Sequence, residues 1–186
     1  MSEILLIKPK KEHETIVNDF VKEHTENNEF EIHGGAIVEK LDYDAWLKLL
    51  TDNSCKSTVS KDWVVASTFL AMRENDGKLI GMIDIRHELN DFLQSYGGHI
   101  GLGIRPSERG KGYASKITME GLNFCKTIGL QKVMLACYKD NIASRKTIER
   151  CGGVLEKEFA LSEINDFRLC RTDSDDKIVQ VFWIAV

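Results

Sequence analysis

The stretch His99-Ile100-Gly101-Leu102-Gly103-Ile104-Arg105-Pro106-Ser107-Glu108-Arg109-Gly110-Lys111-Gly112-Tyr113-Ala114 decides how this chain folds. Its first six residues read as a strand, and Pro106 ends that strand because it offers no N–H to a ladder. From Lys111 to Ile128 the stripe Ala114, Ile117, Gly121, Phe124, Cys125 and Ile128 has the spacing of a helix laid on a sheet, closed by Gly129. Between the two, Gly110 and Gly112 let the backbone turn sharply and approach a bulky ligand. The first N–H groups of the helix lack internal partners and lie at the positive end of its dipole, and Arg109 and Lys111 add charge. Such a turn suits an anion, with a diphosphate as its natural guest. The plainer alternative is a strand-to-helix turn with two solvated basic residues. Two other phosphate motifs are excluded. A P-loop needs Ser or Thr where Gly112 follows Lys111, and no G-x-G-x-x-G run is present.

Outward from this stretch, apolar periodicity predicts the remaining elements. Ile4 to Ile7 is a short strand, Glu12 to His24 a helix, and Glu26 to Glu39 a loop containing Gly34-Gly35. Asp42 caps a helix that buries Trp46, Leu47, Leu49 and Leu50. Trp63 to Arg73 and Leu79 to Ile85 form a hairpin about Asn75-Asp76-Gly77. A short helix follows over Glu88 to Tyr96, stopped by Gly97-Gly98. Beyond the long helix come a buried strand, Lys132 to Cys137, and a helix, Asn141 to Cys151, stopped by Gly152-Gly153. Val154 to Leu161 and Ile178 to Ala185 are the closing strands, joined across the charged segment around Asp173 to Asp176. This order predicts an α/β fold, a mixed sheet with helices on its faces. It is read as one domain over 1–186, with 1–62 its variable part and 63–186 its core.

Bulk properties narrow the function. The chain has 186 residues and a net charge of −4, which disfavours nucleic-acid binding through a basic surface. No apolar run is long enough to span a membrane, and Met1 to Lys11 lacks the pattern of a signal peptide. Cys55, Cys125, Cys137, Cys151 and Cys170 are odd in number and show no C-x-x-C pair. A disulfide framework and a metal site are therefore poor readings, and a reducing cytoplasm is the expected location.

Arg109-Gly110-Lys111-Gly112-Tyr113-Ala114 resembles the R-x-x-G-x-G/A signature of the GNAT acetyltransferases, and Ile104-Arg105-Pro106 resembles its lead-in. A second block, Asn141-Ile142-Ala143-Ser144 with Ile148 to Gly153, is similar to the N-x-x-S…GG segment after that family's fifth strand. The resemblance covers Trp63 to Val186 in family order. Ile85 to Asn90 and Gly97 to Gly101 further resemble a bacterial subgroup of predicted acetyltransferases. It implies a sheet with two splayed strands that grip acetyl-CoA, and no metal. The pyrophosphate would lie on main-chain N–H groups of Arg109 to Ala114. The pantetheine arm would pair with the main chain of Leu102, Gly103 and Ile104 like an added strand. Asn141 and Ser144 would approach the cofactor's far arm and sulfur, although Asn141 also reads as an N-cap.

The implied reaction is direct attack of a primary amine on the thioester. An alkylamine is almost wholly protonated at pH 7, so a general base would offset part of a penalty of roughly 4–5 kcal/mol. His99 is the expected base, with His87, Glu88 and Asp84 as alternatives. Many relatives place a tyrosine acid at the position that is Ile148 here, so Ser144, a water or Tyr138 would protonate the leaving thiolate. The acceptor could be a small amine, a protein N-terminus or a lysine, and a non-catalytic acyl-CoA-binding module is the alternative outside enzymes. The acceptor pocket is expected from Ile32 to Thr68, Arg86 to Tyr96 and the closing hairpin, in a monomer or homodimer.

Overall fold

A computed structural model describes residues 3–164 and 177–186. Two antiparallel sheets meet along one short seam. The first holds β1 (Ile4–Ile7), β2 (Ala66–Arg73), β3 (Lys78–Arg86) and β4 (Ile100–Ile104), in that order. The second holds β5 (Lys132–Tyr138), β6 (Val154–Ala160) and β7 (Ile178–Ala185), with β7 central. The helices are α1 (Glu14–Glu26), α2 (Tyr43–Asn53), α3 (Tyr113–Thr127) and α4 (Ile142–Arg150). The fold class is α/β, as the order of elements predicts. No helix among the described residues is long and apolar enough to cross a membrane.

Strand alternation divides the core. Ile83 and Ile85 of β3 face α3, where Ile117, Leu122 and Cys125 meet Val133, Leu135 and Phe182 of the second sheet. One apolar layer therefore spans both sheets. On the opposite face, Leu70 and Met82 pack beneath Val17 and Phe20 of α1 and Trp46 of α2. Phe20 and Trp46 are fully buried. Each contributes about 2–3 kcal/mol by leaving water, enough to hold α1 and α2 on the sheet.

Asp42 caps α2, accepting from Ala45 N–H at 2.8 Å, as its side chain predicts. The hairpin is also present, with Gly77 at φ 65 in its turn. Three expectations change. The strand expected from Trp63 begins at Ala66, and Trp63 is exposed. The helix expected over Glu88 to Tyr96 shrinks largely to one wide turn, Leu93–Gly97. Asn90 Oδ1 takes Leu93 N–H at one end, and Gly98 N–H reaches back to Leu93 O at the other, leaving no room for more. The single mixed sheet becomes two antiparallel ones, which adjoin where β4 meets β5. Those two strands are linked through α3, the long crossover that neighbouring strands of like direction require. The segment around Asp173 to Asp176 lies outside the described residues.

Candidate active site

The seam between β4 and β5 is joined at one end and open at the other. His99 N–H donates to Met134 O at 2.8 Å, and Met134 N–H donates to His99 Nδ1 at 2.9 Å. Beyond that point the register of β4 on β3 fixes the geometry: Arg86 N–H bonds His99 O, and Arg105 N–H bonds Ile80 O. Odd-numbered residues of β4 thus present main-chain groups to β3, while Leu102 and Ile104 present theirs to the seam. Of the three residues expected along the pantetheine arm, Leu102 and Ile104 face the seam, whereas the Gly103 N–H and C=O turn toward β3. Gly103 serves a different contact. A Cβ there would strike His33 O, and a Cβ on Gly34 would lie 2.7 Å from Gly101 O. The loop 32–34 therefore lies directly on the β4 backbone, which a side chain at 101 or 103 would obstruct.

At the open end β4 passes through a short turn, Pro106–Glu108, into α3. Gly112 is the residue before that helix, at φ 80, and among the described residues no side chain caps the helix N-terminus. Gly110 also has a left-handed φ, 74. The uncapped N–H groups from Tyr113 onward are the donors such an end offers to an anion. Tyr113 itself is buried, its hydroxyl accepting from Arg73 Nη1 at 3.1 Å. Ala114, half-buried, follows in the first turn.

The two basic side chains of the turn are not free. Lys111 Nζ donates to Glu108 at 3.0 Å, and the buried Glu108 also binds Arg73 at 3.0 Å and Lys78 at 2.8 Å. Burial opposes the charge on Glu108, but hydrogen bonds from Lys78 and Lys111 outweigh it and hold its carboxyl at about 2. Arg109 forks onto Glu29, with bonds of 2.5 and 2.6 Å. The Arg109 bonds, against a smaller effect of burial, hold Glu29 at about 2. The turn is braced from α1 as well. Arg105 is buried and donates to Leu79 O at 2.7 Å, to Asp19 at 2.9 Å and to Glu23 at 2.7 Å. Glu23 also accepts from Ser107 N–H at 2.7 Å. These carboxylates from α1 and its following loop carry no signal in the sequence, lying 80 or more residues away from their partners.

His99 is built into the join between the two sheets. Its Nδ1 is occupied by Met134 N–H, its ring packs edge-on to Trp183 with centroids 6.1 Å apart, and it is buried. Burial first, then the positive charge of Arg86, pushes its pKa down to about 4. A neutral imidazole so weakly basic is a poor proton acceptor at pH 7. Two of the three alternatives are also engaged. Asp84 accepts from Thr68 at 2.8 Å and pairs with Arg86 at 3.1 Å, and His87 Nε2 contacts Ser67 at 3.1 Å. Glu88 is exposed.

Across the seam, Asn141 caps α4, its Oδ1 accepting from Ser144 N–H at 3.0 Å. The Ser144 hydroxyl lies beside the Cys137 thiol, whose pKa burial raises. Ile148 is buried in the main core, so the position that bears a tyrosine in many relatives is apolar here. Tyr138, at the end of β5, packs beside Tyr96 with ring centroids 5.9 Å apart. Burial raises the Tyr96 phenol, and its neighbours Tyr138 and Glu31 push the same way. The ammonium of Lys177 sits 4.5 Å from the Tyr138 ring centroid.

Among the described residues, then, an open edge of β4 leads to the N-terminus of α3, which no side chain caps. The family model of the acetyltransferase (GNAT) domain matches residues 4–154, and the chain belongs to that family. Solved structures agree in fold. A Vibrio cholerae protein described as a putative ribosomal-protein-serine acetyltransferase has a TM-score of 0.66 at 16% identity, covering 100% of this chain and 95% of that one. The microcin C7 self-immunity acetyltransferase MccE, solved with acetyl-CoA and AMP, scores 0.70 at 14% identity, covering 99% and 93%. Mutant forms of the spermidine/spermine N-acetyltransferase SpeG from Vibrio cholerae score 0.65 at 18% identity, covering 98% and 94%. Comparison with curated protein sequences finds no match.

Proposed function

We propose that this acetyltransferase moves an acetyl group from acetyl-CoA directly to a primary amine. The observation that carries the reading is the seam: β4 leaves the main-chain groups of Leu102 and Ile104 free of β3, and they lead to the uncapped N-terminus of α3. A pantetheine arm, with alternating amides and methylenes, is the kind of chain such a strand edge pairs with. The N–H groups beyond Gly112 would then meet the pyrophosphate, and the open left-handed turn at Gly110 and Gly112 gives it access to the backbone. The thioester supplies an acyl group activated toward nitrogen. The protein's part is to hold it and to support charge growing on the carbonyl oxygen, for which Leu102 N–H is the donor on the seam.

Proton handling falls to water and hydroxyls. The amine gives up its proton to solvent as the C–N bond forms, since His99 is held as a structural ring. The C–S bond breaks with the electron pair on sulfur, and Ser144 or water protonates it. An acyl-cysteine is disfavoured because burial raises the Cys137 thiol, the form that must ionise to attack. Tyr96, Tyr138 and the nearby Glu31 favour an acceptor that carries positive charge when free. Lys177 on the Tyr138 face illustrates how an ammonium sits there.

The test is thiol release from acetyl-CoA with a panel holding spermidine, a lysine peptide and a peptide with a free serine N-terminus. Release with spermidine above the peptides is the expected outcome. Acetyl-CoA binding by calorimetry with no release for any amine would make the chain a binding module instead.

A further inference from the structure

Arg109, in the middle of the pyrophosphate turn, spends its hydrogen bonds on the protein. Its Nε donates to Ile104 O at 3.1 Å, so the side chain folds back across the end of β4, on the seam side. Its two terminal nitrogens fork onto Glu29. Glu29 is itself rigidly placed. Asn28, at φ 60, closes α1 with Asn28 N–H on Thr25 O and Glu29 N–H on His24 O, both 3.0 Å, the paired bonds of a Schellman cap. Buried His24 then adds a 2.7 Å bond from Nδ1 to the Glu29 carboxylate.

The chain that leaves this cap walls the other side of the site. Glu31 reaches the vicinity of Tyr96, and Gly34 rests on Gly101 and Leu102. Trp46 Nε1–H then holds Gly35 O at 2.8 Å. Ala36 and Ile37 both sit at positive φ, 48 and 57, a conformation a β-branched residue adopts only under constraint from outside. Six residues thus connect the pyrophosphate turn, through Glu29, to the contact of Gly34 on β4.

We propose that Glu29 is a positioning residue that couples the two substrate sites: it neutralises Arg109 beside the pyrophosphate turn and, by the same fork, pins the 28–37 loop as the wall of the acceptor pocket. The inference rests on the acetyl-CoA reading above. It carries a signature of opposite signs. Removing the charge at 29 leaves Arg109 with its full field at an anion site, so acetyl-CoA binds more tightly. Removing the fork frees the loop, so the acceptor binds and reacts less well. A merely structural role would weaken both.

The experiment compares Glu29→Gln and Glu29→Asp with the parent chain, by calorimetry with acetyl-CoA at low and high salt and by steady-state kinetics with the best amine. The main-chain bonds of the cap do not involve the side chain, so both variants fold, as circular dichroism checks. Glu29→Gln should tighten acetyl-CoA by about three- to tenfold at low salt, with the gain fading in high salt. The acceptor KM should rise by a similar factor. Glu29→Asp keeps the charge but shortens the reach, so acetyl-CoA affinity should stay near the parent value while the acceptor KM rises. Weaker acetyl-CoA binding by Glu29→Gln overturns the proposal, since Glu29 would then serve only to aim Arg109 at phosphate. Unchanged affinity and KM in both variants overturn it too. A parent chain that binds no acetyl-CoA at all overturns the functional reading itself, and this inference with it.

Discussion

His99 shows how far a residue type underdetermines a role. A histidine on the strand proposed to lie along the cofactor suits proton transfer by chemistry alone, yet its ring is built into the join between the sheets. The consequence is a pH effect on stability rather than on rate. Its folded pKa of about 4 lies below the unfolded value near 6.5, so the unfolded chain binds the proton more readily between the two. Stability is therefore full above about pH 6.5 and falls as pH drops toward 4, by about 2–3 kcal/mol for this group. His24 and His87 are lowered as well, both chiefly by burial, so the informative quantity is the difference between variant and parent. His99→Asn should melt earlier at pH 7 and lose less additional stability between pH 7 and 5, while its folded fraction turns over at close to the parental rate. A rate inflection near 6.5 that vanishes in this variant, with melting unchanged, would restore His99 as the base.

Among the elements, the legible ones are those whose contacts are local. The strand–turn–helix from His99 to Ile128 is readable because Pro106, the two glycines and the helical stripe lie within one short run. The cap of α2 by Asp42 and the hairpin at Gly77 are legible for the same reason. The 28–37 loop is not, because nothing near Glu29 announces Arg109, and the strained turn at Ile37 exists only because Trp46 and β4 hold it. Gly103 is opaque likewise: its lack of a side chain answers to His33, far earlier in the chain. The bracing of the turn by α1 has a measurable energetic consequence. Arg105→Leu leaves Glu23 half paired and removes the bond to Leu79 O. Breaking a buried ion pair costs about 3–5 kcal/mol, but Asp19 is largely exposed, so about 2 kcal/mol is the expected loss. Acetyl-CoA affinity should fall in parallel, because Glu23, which holds Ser107 N–H, is no longer fixed by Arg105. Loss of stability with undiminished affinity would show that α1 supports the sheet without shaping the turn.

At the scale of the whole molecule, the two sheets share a core on the α3 side but only one short join at their edges. Ile83, Ile117, Cys125, Val133 and Phe182 make that face continuous, so the sheets cannot separate there. On the seam, His99 and Met134 hold one end, and a Cβ on Gly98 would fall 2.7 Å from Met134 O, so the strands touch as closely there as their backbones allow. Beyond, the β4 edge pairs with no strand among the described residues, and Arg109 Nε reaches Ile104 O at its end; such an edge is normally a liability, here kept short and flanked by the loop on Gly101 and Gly103. In the proposed reading, rigidity of the core rather than local unfolding keeps this edge open for the cofactor. Hydrogen exchange resolved to single amides tests this. The amides of Leu102 and Ile104 should exchange rapidly in the free protein and slow by at least about tenfold when acetyl-CoA is added. The amides of Gly101 and Gly103, already bonded toward β3, should be slow in both states, as should those of Ile83 and Leu122. Equal protection of 101 through 104 without ligand would mean that the seam closes in solution, and the edge would then have no place for a pantetheine arm.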